Sequence, residues 1–399
     1  MITKQSCDSM KGVYLCLTIL LLSVVSFAQE NLGIAGDNYA PIQGSKINPA
    51  AIVDQKPWID IQLFSVNAYA RNNFAHLPSS RVTNVSQYSN LAYNYDRRNY
   101  HAYVDAEVFG PSASINLGKH AIGLNTGVRG YANVRKIPGI LGEILSGEDL
   151  GTLADQSLST RNTRVKSLAW GEVGLSYGQI FYQHGMDMWS AAVSLNRLIG
   201  AFGSDVIVKN AQVNILDNSG SLAELDGKYG VVTTPALNAG RGWSTSIGVT
   251  YKKMKEDIHN YIPHSVYSHC AVPPYKFKAG VSILDLGYLN FKNGTNAGTF
   301  SSNINVSTLT SLAQGNVDDV ASIDTKTRYV GMLPTALSGQ FDYSIDERFY
   351  INGTIIQKVT PPRFHGTERA NMFSVSARLE TQLFGVGIPF TLQNYRHPQ

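Results

Sequence analysis

Cysteine and charge are both scarce in this chain. Of its 399 residues 3 are cysteine, and charged residues make up 16%. Cys7 and Cys16 precede Ala28, so Cys270 is the one thiol in the remainder of the sequence. A single thiol forms no internal disulfide, so the fold must be held by hydrogen bonds and packing.

An excess of charge of either sign is also absent. Lys and Arg total 33, Asp and Glu total 29, and the net charge is +4. Surfaces that bind nucleic acid are strongly basic, because they neutralise phosphates. The sequence therefore predicts no nucleic-acid partner.

Long hydrophobic runs are confined to the amino terminus. Lys4 and Lys11 precede an apolar stretch at 13–25, and Ser26-Phe27-Ala28 has the small-x-small pattern of a cleavage site. These features predict a cleaved export signal at 1–28, with the mature chain beginning at Gln29. Beyond it no run of about eighteen apolar residues occurs, so no transmembrane helix is expected.

What the chain has in abundance is alternation. In residues 373–383 apolar side chains fall on one side and polar or charged ones on the other, and the same period recurs in 121–134 and 241–254. A strand with this period has one apolar and one polar face. Together with the export signal and the lack of an apolar helix, the alternation predicts an all-β fold, an antiparallel transmembrane β-barrel.

The candidate strands follow one another along most of the chain. They lie at 58–69, 102–117, 121–134, 167–182, 188–199, 241–254, 275–284, 333–343, 349–357, 372–384 and 386–395. Short connections between several of them predict meander topology. The longer connections at 135–166, 216–239, 255–274 and 293–328 are expected to face outside. The apolar parity changes after Ile283, which predicts a bulge, bend or strand end near Asp285.

Charged residues on the polar faces of these strands are the candidate lumen residues. If the apolar faces meet lipid, the residues that point inward are Arg129, Glu172, Lys252, Lys276, Lys278, Asp342, Arg378 and Glu380. Mixed charges of this kind either line a water path or pair with one another and fill the barrel. Both interpretations stay open.

Two patterns resemble catalytic or metal sites. Ser176 lies in a Gly-x-Ser-x-Gly motif, but a nucleophile elbow needs a strand followed at once by a helix, and here the strand pattern continues. His264, His269 and Cys270 lack a second cluster at ligand spacing. We interpret them as strand and loop residues, so no enzyme activity, cofactor or metal is predicted.

Several short motifs carry a family resemblance. Asn48-Pro49-Ala50, followed by a strand at Trp58, resembles the start of fatty-acid-transporter-like barrels. Gly110-Pro111-Ser112, the run Ser-Ile-Leu-Asp-Leu-Gly-Tyr at 282–288 and Leu333-Pro334-Thr335 more closely resemble an uncharacterised family of Bacteroidetes outer-membrane barrels, a domain of unknown function. The resemblance spans most of 31–395 and implies about fourteen strands with an N-terminal segment near or in the lumen.

The expected domain organisation follows from these patterns. Residues 1–28 form the signal, 29–57 a segment near or in the lumen, and 58–399 a barrel of about 12–14 strands. Asn48, Pro49 and Ala50 are interpreted either as part of a luminal plug or as a turn before the first strand. The closing residues 395–399 lack an apolar strand with a terminal aromatic, so we expect one or more closing strands to be missing from the chain.

Three classes of function stay open. The first is passage of small or hydrophobic molecules across the outer membrane, which the resemblance implies. The second is a structural or docking role in an envelope or surface-protein secretion assembly. The third and weakest, an outer-membrane esterase, rests on Ser176 alone. We expect the outer membrane of a Gram-negative bacterium as the location, with lipid, a hydrophobic small molecule or envelope and secretion proteins as partners.

Overall fold

The structure, a computed structural model, is almost entirely β-strand. It describes residues 32–76, 92–93, 99–138, 157–217, 220–232, 235–264, 272–292, 295–304, 322–326, 328–359, 366–381, 384–395 and 397–398. The predicted signal at 1–28 lies outside these ranges. Between residues 32 and 58, which the structure describes, three short helices precede the first strand, namely α1 (Leu32–Ala35), α2 (Pro41–Ser45) and a 3-10 helix at Pro49–Ile52. No helix within the described ranges is long and apolar enough to cross a bilayer.

The strands are numbered in chain order. They are β1 (Ile59–Gln62), β2 (Ser65–Asn72), β3 (Ala75–His76), β4 (Ala92–Tyr93), β5 (Asn99–Phe109), β6 (Ser112–Leu117), β7 (His120–Pro138), β8 (Ser157–His184), β9 (Asp187–Asp217), β10 (Gly220–Val232), β11 (Gly240–Met254), β12 (Tyr275–Phe291), β13 (Thr295–Ile304), β14 (Ser322–Lys326), β15 (Tyr329–Met332), β16 (Ala336–Ser344), β17 (Phe349–Lys358), β18 (Met372–Glu380), β19 (Gly385–Gln393) and β20 (His397–Pro398).

One antiparallel sheet contains every strand except β3 and β4. Neighbours along the chain pair with one another, and short breaks divide some strands: β1 pairs with β6 while β2 pairs with β5. The long strand β9 is shared in a similar way, because its first part pairs with β11 and its second part with β10. The predicted all-β antiparallel fold in meander order is confirmed.

The two faces of this sheet have the reverse of the usual polarity. On β18 Phe373 is 38% exposed and the adjacent Ser374 2%, and on β11 Trp243 is 48% exposed and Ser244 2%. A soluble domain buries its large apolar side chains and exposes its charged ones. Here the barrel-like sheet encloses most of its polar side chains together with buried apolar clusters, such as the one around Trp170, Phe291 and Tyr329, and it presents an apolar outer surface. The two-residue period, kept along nearly every strand, separates the two faces.

The two ends of the sheet differ in their connections. Tight turns join β6 to β7, β8 to β9 and β16 to β17 at one end, called here the short-turn end, and the opposite end is called the loop end. The connection at 255–274 is expected among the outside loops, but its described residues, 255–264 and 272–274, lie at the short-turn end, where Ile258 N donates to Gly185 O at 2.8 Å. They lie there because β11 runs towards that end.

Strands are longer than the sequence predicted at the loop end. The regions 216–239 and 293–328, expected as loops, contain β10, β13 and β14, and β8 and β9 have 28 and 31 residues. A tilted strand crosses a membrane in about 9–11 residues. The extra length therefore forms a sheet that continues past the apolar band. Apolar and polar residues alternate only weakly in these regions, so the sequence analysis did not predict the extra strands.

The irregularity expected near Asp285 is confirmed. Asp285 has φ of +53°, and the pairing register between β11 and β12 shifts between Thr245 and Ile247, opposite this point. Leu284 and Asp285 are consecutive and both buried, so the bulge turns two successive side chains inward.

Within the described residues, the ring of strand pairings is interrupted by a seam between β2 and β19. Ten antiparallel pairings lead from β2 round the wall to β19. Since each pairing reverses the strand direction, β2 and β19 run parallel. Among the described residues no backbone ladder joins them, and contact is made by side chains: Tyr69 Oη donates to Gln393 Oε1 at 2.6 Å.

Candidate functional site

Residues 32–56, called here the N-terminal segment, lie against the inner face of the sheet. Asn48 caps the 3-10 helix, since its Oδ1 accepts from Ala50 N at 3.0 Å. The Nδ2 of Asn48 donates to Thr250 Oγ1 at 3.3 Å and to Gln340 Oε1 at 3.0 Å. Pro at the first helical position suits the short helix. The Asn48-Pro49-Ala50 motif is thus both a local turn and a contact with the wall.

Two glycines of the wall make room for this motif. A Cβ on Gly248 would overlap Asn48 Oδ1, and a Cβ on Gly280 would lie 2.6 Å from Asn48 Nδ2. Beside them Ser282 Oγ donates to Ile47 O at 2.6 Å. The close backbone approach that glycine permits is used here to seat a separate segment of the chain.

An ion pair holds the end of the N-terminal segment at the short-turn end. Lys252 Nζ lies 2.8 Å from Asp54 Oδ2, and both side chains are almost fully buried. Tyr261 donates to Asp54 Oδ1 at 2.8 Å. Burial, with the charge of Asp54, raises the pKa of Tyr261 far above its ordinary value, so this hydroxyl stays a donor. Removing either charge would leave the other buried without compensation.

A second network joins the start of the segment to β16 and β18. Arg378 Nη2 lies 3.0 Å from Asp342 Oδ1 and 3.2 Å from Glu380 Oε1. Asn38 Nδ2 donates to Glu380 Oε2 at 3.0 Å, and Lys278 Nζ donates to Asn38 Oδ1 at 3.0 Å. The inward charges of three strands therefore bind the segment as well as one another.

The centre of the interior is built around one guanidinium. Arg129 lies 2.9 Å from Glu107, 2.8 Å from Asp285 and 3.7 Å from Glu172. A polar cavity of about 60 Å³ adjoins them, and Lys46 of the N-terminal segment lines it from one side. Burial lowers the pKa of Lys46 to about 8. Three carboxylates therefore share the cations of the wall and of the segment.

Residues 366–370, called here the inner loop, fill the interior at the loop end. Gly366 forms a bridge with Met332, and its N donates to Asp205 Oδ2 at 2.8 Å. Glu368 is 5% exposed, and its carbonyl accepts from Asn133 Nδ2 at 3.0 Å. The interior is thus occupied from both ends by polypeptide that belongs to no strand.

Most of the predicted lumen residues lie in the interior. Six are at most 6% exposed: Arg129, Glu172, Lys252, Asp342, Arg378 and Glu380. Lys278 is half-buried and reaches Asn38, whereas Lys276 is exposed, which corrects its inward assignment. The register between β11 and β12 shifts between Lys253 and Met254, so Tyr275 takes the inward position and Lys276 turns out.

Sequence reasoning missed the partners of these charges. Asn38, Asp54 and Glu368 lie outside any strand pattern, so periodicity gave no signal for them. Glu107 could have been found, because it lies in the alternating region 102–117 on the same side as Asp105. Asp285 was noticed as a break in parity, yet its ion pair with Arg129 depends on the bulge itself.

Ser176 and His264 each contact a polar neighbour. Ser176 lies inside the 28-residue β8 and its Oγ is 2.6 Å from Ser194 Oγ. The strand continues past it, so the elbow geometry is not formed. His264 contacts Gln55 O at 2.8 Å, while His269 and Cys270 lie outside the described residues. Within the described ranges no group of three metal-ligating side chains occurs.

A wide cavity opens at the short-turn end. Its volume is about 770 Å³, and the N-terminal segment forms one side of it through Asn38, Tyr39 and Lys56. The cavity inside the segment, near Gly280, measures about 40 Å³. The free volume is therefore large on the outer side of the N-terminal segment and small between the segment and the wall.

These observations define the class: an all-β protein whose barrel-like antiparallel sheet surrounds a polar interior occupied by non-strand segments. The chain belongs to the family of unknown function DUF5723, whose model matches residues 49–399. The match begins at Pro49, inside the motif seated on Gly248 and Gly280. Comparison with curated proteins and with solved structures gave no match.

Proposed function

We propose that this protein is an outer-membrane barrel that admits small polar solutes when its N-terminal segment moves. The observation that carries the proposal is that a separate segment, rather than the wall, fills the interior at the short-turn end. Its contacts with the wall combine polar pairs such as Lys252 with Asp54 and apolar packing of Ile52 and Val53, so the segment moves when a ligand binds the open state more tightly than the closed one. A cavity of about 770 Å³ already reaches its outer side.

The apolar outer surface supports a membrane location. Leu124, Leu175 and Leu195 pair across β7, β8 and β9 and are 44%, 64% and 52% exposed. A row of exposed leucines in the middle of a sheet is costly in water and favourable in lipid. The export signal expected at 1–28 agrees with this location.

The polarity of the interior favours polar solutes over the hydrophobic molecules implied by the resemblance to fatty-acid-transporter-like barrels. Arg129 lies at its centre, within ion-pair distance of Glu107 and of Asp285. An apolar solute passing there would strip water from charged groups and give no hydrogen bond in return. A polar solute would replace the bonds it breaks.

The test is conductance in planar bilayers. Deletion of residues 31–50 should raise the conductance well above that of the full chain, because it removes the seated motif and leaves Asp54 with Lys252 in place. The matched control is Lys253→Gln, which changes an exposed ion pair at the same end. A deleted barrel that folds, as judged by heat-modifiable migration, and stays closed would contradict gated passage.

A structural or docking barrel is the second candidate. Its supporting observation is the small free volume of the interior, where cavities measure about 60 and 40 Å³. A closed, folded deletion variant would favour this role, and proteins that copurify with the full chain from native membranes would then be its partners.

A further inference from the structure

The carboxylate of Glu368 lies among basic side chains from three strands. Its Oε2 is 2.8 Å from Lys358 Nζ and 3.0 Å from Arg135 Nη1, and its Oε1 is 4.0 Å from Lys166 Nζ. Hydrogen bonds between ions of this kind are short and strong. The group is called here the basic cluster, comprising Arg135, Lys166 and Lys358.

Among the side chains that the structure describes, cations outnumber carboxylates at this position. Asp205 takes part of the charge of Lys166, at 3.8 Å, and also accepts the hydrogen bond of Gly366 N. Arg164 lies close enough to Lys166 for their charges to interact. If the carboxylate of Glu368 were withdrawn, Arg135 and Lys358 would lose the anion that they share within the described residues.

The cluster is graded from open to buried. The side chain of Arg135 is 51% exposed and that of Lys358 27%, whereas Lys166 is 2% exposed. Arg135 follows Tyr131 and Asn133 on the inward parity of β7, so the cluster faces the interior and not the lipid. An anion arriving from the loop end would meet Arg135 first and Lys166 last.

The carboxylate in the cluster is carried by a segment that forms no strand of the main sheet. Glu368 belongs to the inner loop, which contacts the wall through the Gly366 bridge and the bonds of Gly366 with Asp205 and of Asn133 with Glu368, and whose Ala370 packs in a buried apolar cluster. Burial acts to raise the pKa of Glu368, but the hydrogen bond from Lys358 and the charges of Lys358, Arg135 and Lys166 outweigh it and lower the pKa. Glu368 is therefore an anion at neutral pH.

We propose that the basic cluster is a binding site for a small free solute that carries a carboxylate or phosphate group, and that Glu368 occupies the site until the solute displaces it. This extends the proposed function by naming the class of solute. Arg135 gives the planar donor that both groups accept, and the two lysines add point charges. Displacement of Glu368 frees the inner loop and opens the interior at the loop end.

The test measures binding to the full chain in detergent micelles, by calorimetry, with inorganic phosphate and citrate at constant ionic strength. Glu368→Gln removes the internal competitor and should tighten binding by about tenfold or more, as expected when the competent state becomes fully populated. Arg135→Gln and Lys358→Gln in that background should abolish it. Lys253→Gln, at the opposite end, should leave it unchanged.

A second measurement uses the unaltered chain. Phosphate or citrate should increase hydrogen exchange in residues 366–370 and leave the N-terminal segment protected. Unchanged binding in Glu368→Gln, or binding insensitive to Arg135→Gln, would overturn the site. Binding of a short-chain anionic phospholipid without binding of free phosphate or citrate would overturn it too. The binding measurement needs no membrane. If the deletion variant stays closed in planar bilayers while the full chain still binds phosphate in micelles, only gated passage is contradicted.

Discussion

The two segments that fill the interior are held in different ways. The N-terminal segment uses matched contacts, in which Asp54 faces Lys252 and Asn48 completes its bonds with Thr250 and Gln340. The inner loop places one carboxylate against several cations, one of them half exposed. Matched, buried contacts resist exchange, whereas an excess of accessible charge invites a competing ion. The comparison identifies the first segment as the firmer closure.

The largest effect should come from the buried ion pair of the N-terminal segment. Lys252→Met leaves Asp54 buried without its cation, which costs about 3–5 kcal/mol. Hydrogen exchange of residues 48–56 should lose protection accordingly. The neighbouring Lys253→Met breaks a solvent-accessible pair with Asp187 and should leave this protection almost unchanged. Equal losses in the two variants would contradict the firm closure.

The second effect depends on pH and on Lys46. Its pKa is lowered by burial to about 8, while the unfolded chain keeps the ordinary value of 10.5. Between these values the open state binds more protons, so the stability of the closed segment rises with pH, by up to about 3 kcal/mol. Protection of residues 41–47 should therefore increase from pH 8 to pH 10.5. Lys46→Met should remove this rise; its persistence would mean that another group causes it.

A third, smaller effect concerns the contact between the Asn48-Pro49-Ala50 motif and the wall, called here the motif seat. Asn48→Ala removes the helix cap and the bonds to the wall, at a cost of about 1–3 kcal/mol. Gly248→Ala should cause the same loss of protection although it changes no residue of the N-terminal segment, because its Cβ would overlap Asn48 Oδ1. Gly353→Ala is the matched control, since the nearest heavy atom to its Cβ is 4.0 Å away. If both glycine variants behave alike, the seat contributes nothing.

The smallest effect should fall on the inner loop. Arg135→Gln leaves Lys358 and Lys166 near Glu368, and the side chain it changes is half exposed, so the cost should stay within about 1 kcal/mol. Exchange in residues 366–370 should change by less than about fivefold. A loss as large as that of Lys252→Met would make the two closures equivalent and end the distinction between them.

The wall was largely predictable from the sequence, whereas the contents of the interior were not. A two-residue period determines which side of β11 or β18 is apolar, so the strands and the inward position of Arg378 or Glu172 follow directly. The predicted inward orientation of Lys276 is wrong, because one extra residue at a bulge reverses the alternation of side chains locally. The partners Asp54 and Glu368 are supplied by non-periodic segments, and only the folded chain brings them to Lys252 and Arg135.

The seam between β2 and β19 has a mechanical consequence. A ring of backbone hydrogen bonds fixes the circumference of a sheet, but this ring is interrupted within the described chain, where Tyr69 meets Gln393 through side chains. The radius of the sheet is then set by the chain segments that pack inside it. Gly33 packs directly against Pro389 at the seam. Withdrawal of the N-terminal segment would therefore alter the curvature of the whole wall as well as the space inside it.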